Sequence, residues 1–444
     1  MIPPFNIPLS KEEFSDSIQK GLGRTYIHVD KFGDNLIKDI LLNACFNDFT
    51  YDQQAEDLRS SWLYSIIKIT KNKNYYTDAI LNELENLNFS EENRAFEQLI
   101  GLAKELAIDN FSEAKHIIYK TFEYALKNEE IFLCEDYIVE LDGIKGFLIA
   151  AETIGKHLYL NSSIEKDSSL FNYAIEYFDK NILLNELRVK SIDNIYIKYY
   201  SENCTEIYEK YTPLPKQHYI EKLRKKLTLD KIVNDVFSGK GDFAGHYQRF
   251  GTIATQEELN IIYNYILKET KTPQLIRFLW VFRNTALPEL HEYIFDLALS
   301  KNKEISDAAL TCLSNSKDPS INEFFIDVIQ NKKIPILHES LCLLKLNYNS
   351  GNYTIIESVL RDLSSDINSH QLHDLGYDLL DIVKENHINE LKNIVLWVYY
   401  NSPCTNCRFE SIKLLKKIDS IPSYILSEGL YDCSDEIQNY IKNI

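Results

Sequence analysis

Turn-forming residues are scarce in this 444-residue chain, which carries 14 Gly and 11 Pro. An all-β protein of this length needs dozens of tight turns, so the shortage excludes that class and favours helices joined by short loops. Cations are in deficit as well. Lys and Arg total 48 against 66 Asp and Glu, a formal charge of −18. That charge repels polyphosphate and argues against DNA or RNA as the main partner. The eight Cys are too few and too scattered for a disulfide scaffold, so free thiols in a reducing cytosol are expected. No stretch approaches the roughly 18 apolar residues of a membrane span; residues 393–400 form only a short run. Residues 1–10 have neither a basic n-region nor an apolar h-region, so no signal peptide, no membrane partner and a cytoplasmic location are expected. The P-loop, nucleophile-elbow, H-E-x-x-H and dinucleotide patterns are all missing, and no cofactor is expected. The Gly239-Lys240-Gly241 loop lacks the preceding strand of a phosphate cradle.

What is present is helical periodicity. Leu99, Leu102, Ala103, Leu106 and Ala107 fall at i, i+3, i+4, i+7 and i+8, one buried stripe. After Asp109-Asn110, residues Phe111, Ala114, Ile117, Ile118, Phe122 and Ala125 repeat it, which predicts a helical hairpin. Asn88–Asn93 offers cap residues before that hairpin, and Ser10 with Glu13 reads as a capping box.

The C-terminal half is more regular. Residues 288–299 predict an amphipathic helix, and Ile305, Ala308, Ala309, Cys312 and Leu313 form the stripe of a second. Asp318-Pro319 opens another helix, Ile336, Leu337, Leu341 and Leu344 mark its partner, and a third unit opens at Asn352. The interval is roughly 30–35 residues, below the ~40–47 of standard HEAT or armadillo units. A hairpin of this kind cannot bury its stripe alone, so neighbours stack and share a core. The pattern therefore predicts an all-α chain: an α-solenoid of HEAT-like hairpins over residues 252–444, behind an irregular N-terminal helical lobe over 1–210. Residues 211–251, with Pro213, Pro215, Gly239, Gly241, Gly245 and Gly251, form the expected connection.

Several residue groups carry possible chemistry. Cys404-Thr-Asn-Cys407-Arg408 follows Pro403, so Cys404 should sit at a helix N-cap, where backbone N–H groups and the macrodipole favour a thiolate. Arg408 adds a cation, making this a redox candidate without the βαβ context of thioredoxins. Packing as small apolar residues is the alternative. Zinc would need two further ligands; Cys433 and His387 are possible contributors, but no metal set is assigned. His370 and His373 form a separate i, i+3 pair with Asp374 and Asp378 nearby. Asp52, Glu56 and Arg59 share the face of an expected helix running on through Trp62, either as an acid/base group or as a cap with an ion pair. Arg24 and Asp142, the latter an expected N-cap, complete the polar candidates. The best basic patch is Lys216–Lys231, which reads as a solvated amphipathic helix before a nucleic-acid patch. No catalytic residue is assigned.

Leu22-Gly23-Arg24, the segment from Tyr51 to Arg59, Leu141-Asp142-Gly143, Pro403 to Arg408 and the tail from Leu430 to Ile437 are shared features of a recognisable kind. In these motifs the chain resembles a family of bacterial HEAT-repeat proteins to which no biochemical role attaches. The resemblance implies an α-solenoid and supplies no catalytic residues. The functional expectation is a non-enzymatic scaffold or adaptor that binds a protein with a basic face on a curved surface. The rival expectations are a HEAT-type enzyme acting on nucleic acid, similar to DNA glycosylases in architecture, and a thiol-based redox sensor using Cys404 and Cys407.

Overall fold

Helical periodicity becomes helix through most of the computed structural model, which describes residues 7–86, 94–128, 134–161, 166–208, 216–239, 243–363, 367–386 and 389–444. Among the described residues there is no strand. The cap segment 88–93, the Pro-containing stop at 211–215, Lys240, Gly241, Asp242 and His387 lie outside them. No helix of the described residues is long and apolar enough to cross a membrane.

The helices follow in order: α1 Lys11–Lys20, α2 Arg24–Phe32, α3 Lys38–Phe46, α4 Ser60–Ile69, α5 Lys73–Glu85, α6 Arg94–Ile108 and α7 Ser112–Asn128. Next come α8 Glu135–Leu160, α9 Ser169–Tyr177, α10 Lys180–Lys190, α11 Ile195–Asn203, α12 Lys216–Lys226, α13 Leu229–Ser238 and α14 Ala244–Ile253. Then come α15 Gln256–Ile266, α16 Thr272–Trp280, α17 Glu292–Ala298, α18 Lys303–Ser314, α19 Pro319–Gln330 and a 3-10 helix, Leu337–Leu344. The chain ends with α20 Asn352–Arg361, α21 Ser369–Asn386, a short 3-10 turn Asn389–Leu391, α22 Lys392–Asn401, α23 Thr405–Lys417, α24 Ser423–Gly429 and α25 Asp435–Lys442.

Two units divide these elements. One takes Asn6–Tyr211 with Leu426–Ile444, the other Thr212–Ile425. The last residues thus fall with the N-terminal helices, where the sequence had placed them with the repeats; the reason is a set of tertiary contacts described below.

In the N-terminal unit the local signals read as expected. Ser10 and Glu13 make the reciprocal capping box of α1. The hairpin α6–α7 buries Leu99, Leu102, Ala103 and Leu106 against Ala114, Ile117, Ile118 and Phe122. Each large apolar side chain removed from water contributes about 1.5–3 kcal/mol. Asp142 is not an N-cap. It lies inside α8 just before a kink at Gly143, whose φ of 59° suits a residue without Cβ. Its carboxylate accepts instead from Lys115 and the Tyr119 hydroxyl.

In the second unit α15 packs on α16, α17 on α18, α19 on the Leu337–Leu344 helix, and α22 on α23. Helix α17 begins at Glu292, not at Pro288, because His291 caps it through its Nδ1, which accepts from Tyr293 N at 3.1 Å. Asp318 caps α19 as its sequence suggests, accepting from Ser320 N at 2.9 Å. A second row runs α16, α18, the 3-10 helix, α21 and α23, each packed on the one before. Ala308, Ala309 and Cys312 are buried in α18, and their small size lets α16 approach until the Cys312 thiol donates to Leu279 O at 3.2 Å.

Asparagines close successive members of this row. Asn315 donates its amide to Arg283 O at 2.7 Å, Asn347 to Ser316 O at 2.9 Å, and Asn386 to Lys345 O at 3.1 Å. Each spans from the end of one helix to a carbonyl past the end of the previous one, satisfying an orphan acceptor. Asn347 also accepts from Asp318 N at 2.9 Å. Asn347→Ala should therefore cost about 1–2 kcal/mol, because two partly buried backbone groups lose their partner. Urea unfolding of that variant checks it; a loss under about 0.5 kcal/mol would show the asparagine to be incidental.

Candidate functional site

Along the row α16, α18, the 3-10 helix and α21 lies a groove of about 690 Å³. Its carboxylates are Glu304, Asp307, Glu339, Asp374, Asp378 and Asp381. Two of them are matched locally: Lys303 Nζ lies 2.8 Å from Glu339, and Lys345 Nζ lies 3.5 Å from Asp381. Among the described residues no ion pair reaches Asp307, Asp374 or Asp378. Burial, followed by the Asp381 and Asp374 charges, pushes the half-buried Asp378 carboxyl up to about 7, against the opposing pull of Lys345 and Arg283. Asp307 is pushed up to about 6 by burial, then by Glu339, with Lys303 opposing and Asp374 and Glu304 adding to the rise. Like charges held this close favour whatever neutralises them, a proton or an incoming cation. Sequence reasoning missed this site. In the sequence Asp374 and Asp378 stand out only beside the His370–His373 pair, and nothing local connects them with Asp307.

The thiol pair lies where its sequence suggested. Cys404 is the N-cap residue of α23, both Cys404 and Cys407 are buried, and none of the eight cysteines is in a disulfide. The fold adds a third donor. His373 of α21 brings Nδ1 to 3.5 Å from Cys407 Sγ, and the three donor atoms all lie within 4.8 Å of one another. A hydrogen bond with Cys404, reinforced by burial, drives the Cys407 thiol well above its ordinary value. A thiol held so firmly protonated is a poor nucleophile. Arg408 is fully buried. Cys433 belongs to the other unit, where its N–H donates to Gly21 O at 3.0 Å.

The N-terminal polar candidates are drawn into separate contacts. The expected helix through Asp52 is absent: α4 starts only at Ser60, with Arg59 as its N-cap residue. Asp52 instead accepts from Gln54 N at 3.0 Å, a local turn that competes with helix. Glu56 and Arg59 are both buried and 3.3 Å apart, and Arg59 also donates to Gln19 O at 2.5 Å, covering the end of α1. Arg24 is held by the tail. Its Nε and Nη2 donate to the two Glu428 oxygens at 2.8 and 2.9 Å, a buried two-pronged pair. Nearby, Trp62 Nε1 donates to Tyr431 O at 2.9 Å and Tyr26 stacks on Tyr431 at 4.5 Å. A Cβ on Gly23 would sit 2.0 Å from Glu428 O, so only glycine lets the chain pass. Arg24 and Arg59 thus each join segments of this unit that are distant in sequence.

The basic patch is split. Helix α12 ends at Lys226, Thr228 caps α13 by accepting from Lys231 N, and Arg224 donates to Ile253 O. Comparison of the chain with known protein families, characterised proteins and solved structures finds no match.

Proposed function

We propose that this protein is a non-enzymatic scaffold in which HEAT-like helical hairpins stack in series, and that its groove takes a Lys- or Arg-containing segment of a partner protein. The observation that carries this reading is the crowding of Asp307, Asp374 and Asp378 in a groove along four successive helices. Repeated pairing of neighbouring helices and the asparagine bridges between them support the serial stacking. The motifs that resemble those of a bacterial HEAT-repeat family belong to the same reading. The six carboxylates of the groove outnumber its four cations, Arg277, Arg283, Lys303 and Lys345, a balance that disfavours a phosphate backbone and so the glycosylase-like alternative. The strongly protonated Cys407 speaks against a fast thiol sensor.

The test uses a fluorescent peptide of alternating Lys and Arg, with a Glu-rich peptide and a single-stranded oligonucleotide as controls. The basic peptide should bind alone of the three, and more weakly as salt rises. Asp374→Asn combined with Asp378→Asn should weaken it by about tenfold or more, or ~1.4 kcal/mol. Equal binding by the variant, or no binding at low salt, overturns the reading.

A further inference from the structure

We propose that His373, Cys404 and Cys407 bind a thiophilic divalent cation of the Zn2+ class between α21 and α23. None of the three lines the acidic groove, so this inference stands independently of the partner reading. Two thiols and an imidazole are the donor types that such an ion prefers, and here they converge from two packed helices. The geometry fits. With Zn–S near 2.3 Å and Zn–N near 2.1 Å, a tetrahedral site has an S-to-N edge of about 3.6 Å and an S-to-S edge of about 3.8 Å. The Cys407 Sγ to His373 Nδ1 separation is 3.5 Å, and no pair in the cluster exceeds 4.8 Å. The unliganded side chains therefore need only small rotations to meet one ion.

The thiol spacing helps. Cys404 at the N-cap and Cys407 in the first turn of α23 lie three residues apart, the C-x-x-C spacing that lets two sulfurs reach one ion. On binding, each thiol releases its proton to solvent as its sulfur coordinates, and the two thiolates balance the dication. The imidazole is the neutral third ligand. Three protein donors leave a fourth position for water or a donor from outside the chain, so the ion ties α21 to α23 and keeps an open coordination site.

The experiment titrates the full chain, chelator-treated and kept reduced, with Co2+ as a spectroscopic probe and then with Zn2+. One Co2+ per chain should bind with a thiolate-to-metal charge-transfer band, and Zn2+ should displace it and raise the melting temperature. His373→Ala should weaken Co2+ binding by roughly 10–100-fold or more, and Cys407→Ser should diminish the band. Cys433→Ser and Asp378→Asn should change neither, so failure here is separable from failure of the peptide reading. Because Cys407 is buried and its variant could fail to fold, the half-exposed His373 decides in that event, with circular dichroism confirming its fold. A Co2+ complex without a thiolate band, or undiminished binding by His373→Ala, overturns the proposal.

Discussion

Replacing Glu428 by Ala should lower the unfolding free energy of the N-terminal unit by about 3–5 kcal/mol. Glu428 is fully buried and Arg24 nearly so, and both guanidinium-to-carboxylate bonds are short. Removing the carboxylate leaves the cation's charge buried, and that desolvation penalty dominates the effect. The loss should extend beyond the pair, because Glu428 lies in α24, and Tyr431 just past it packs on Trp62 and Tyr26. Denaturant melts monitored by tryptophan fluorescence will read it, since Trp62 sits in the same seam. A double replacement, Arg24→Met with Glu428→Leu, separates two readings of the pair. If the ties only hold the tail, that apolar pair should recover much of the loss; replaced buried pairs are often neutral or better. A single-variant loss below about 1 kcal/mol would show the pair to be dispensable.

Asp378→Asn should have the opposite effect on the other unit and stabilise it at alkaline pH. The folded carboxyl is raised from 3.8 to about 7, so the folded state disfavours its charged form. Below 3.8 the folded and unfolded chains both carry the proton, and the wild-type protein incurs no penalty. Between 3.8 and about 7 the folded state binds more protons than the unfolded chain, so wild-type stability falls as pH rises. Above about 7 the penalty is complete. Asparagine keeps the shape without the charge, and its advantage at pH 8 should be about 1–2 kcal/mol after allowing for solvent screening of a half-buried group. That advantage should shrink steadily towards pH 4. Thermal melts of both proteins across this range test it, and an advantage that grows in acid would refute the argument. The same substitution should weaken binding of the basic peptide. A residue that costs stability yet aids recognition is the expected signature of a binding site.

Which parts were legible follows from the range of the forces involved. Ser10 with Glu13, Asp318 with Ser320 and the stripes of α6, α7 and α18 are satisfied within a few residues, so spacing alone reveals them. Cys404 at its N-cap belongs with these. The 51–59 segment misled because its polar pattern fits a helix face, while Asp52 had a local hydrogen bond to make instead.

Amino-acid order was enough to establish that the chain is helical, where many of the rods begin, and that the whole is acidic, because backbone capping and apolar periodicity act between near neighbours. Folding in three dimensions alone could bring Glu428 to Arg24, His373 to the two thiols and Asp307 towards Asp374. Those meetings depend on how packed helices place residues 31 to 404 positions apart, and no local propensity carries that information.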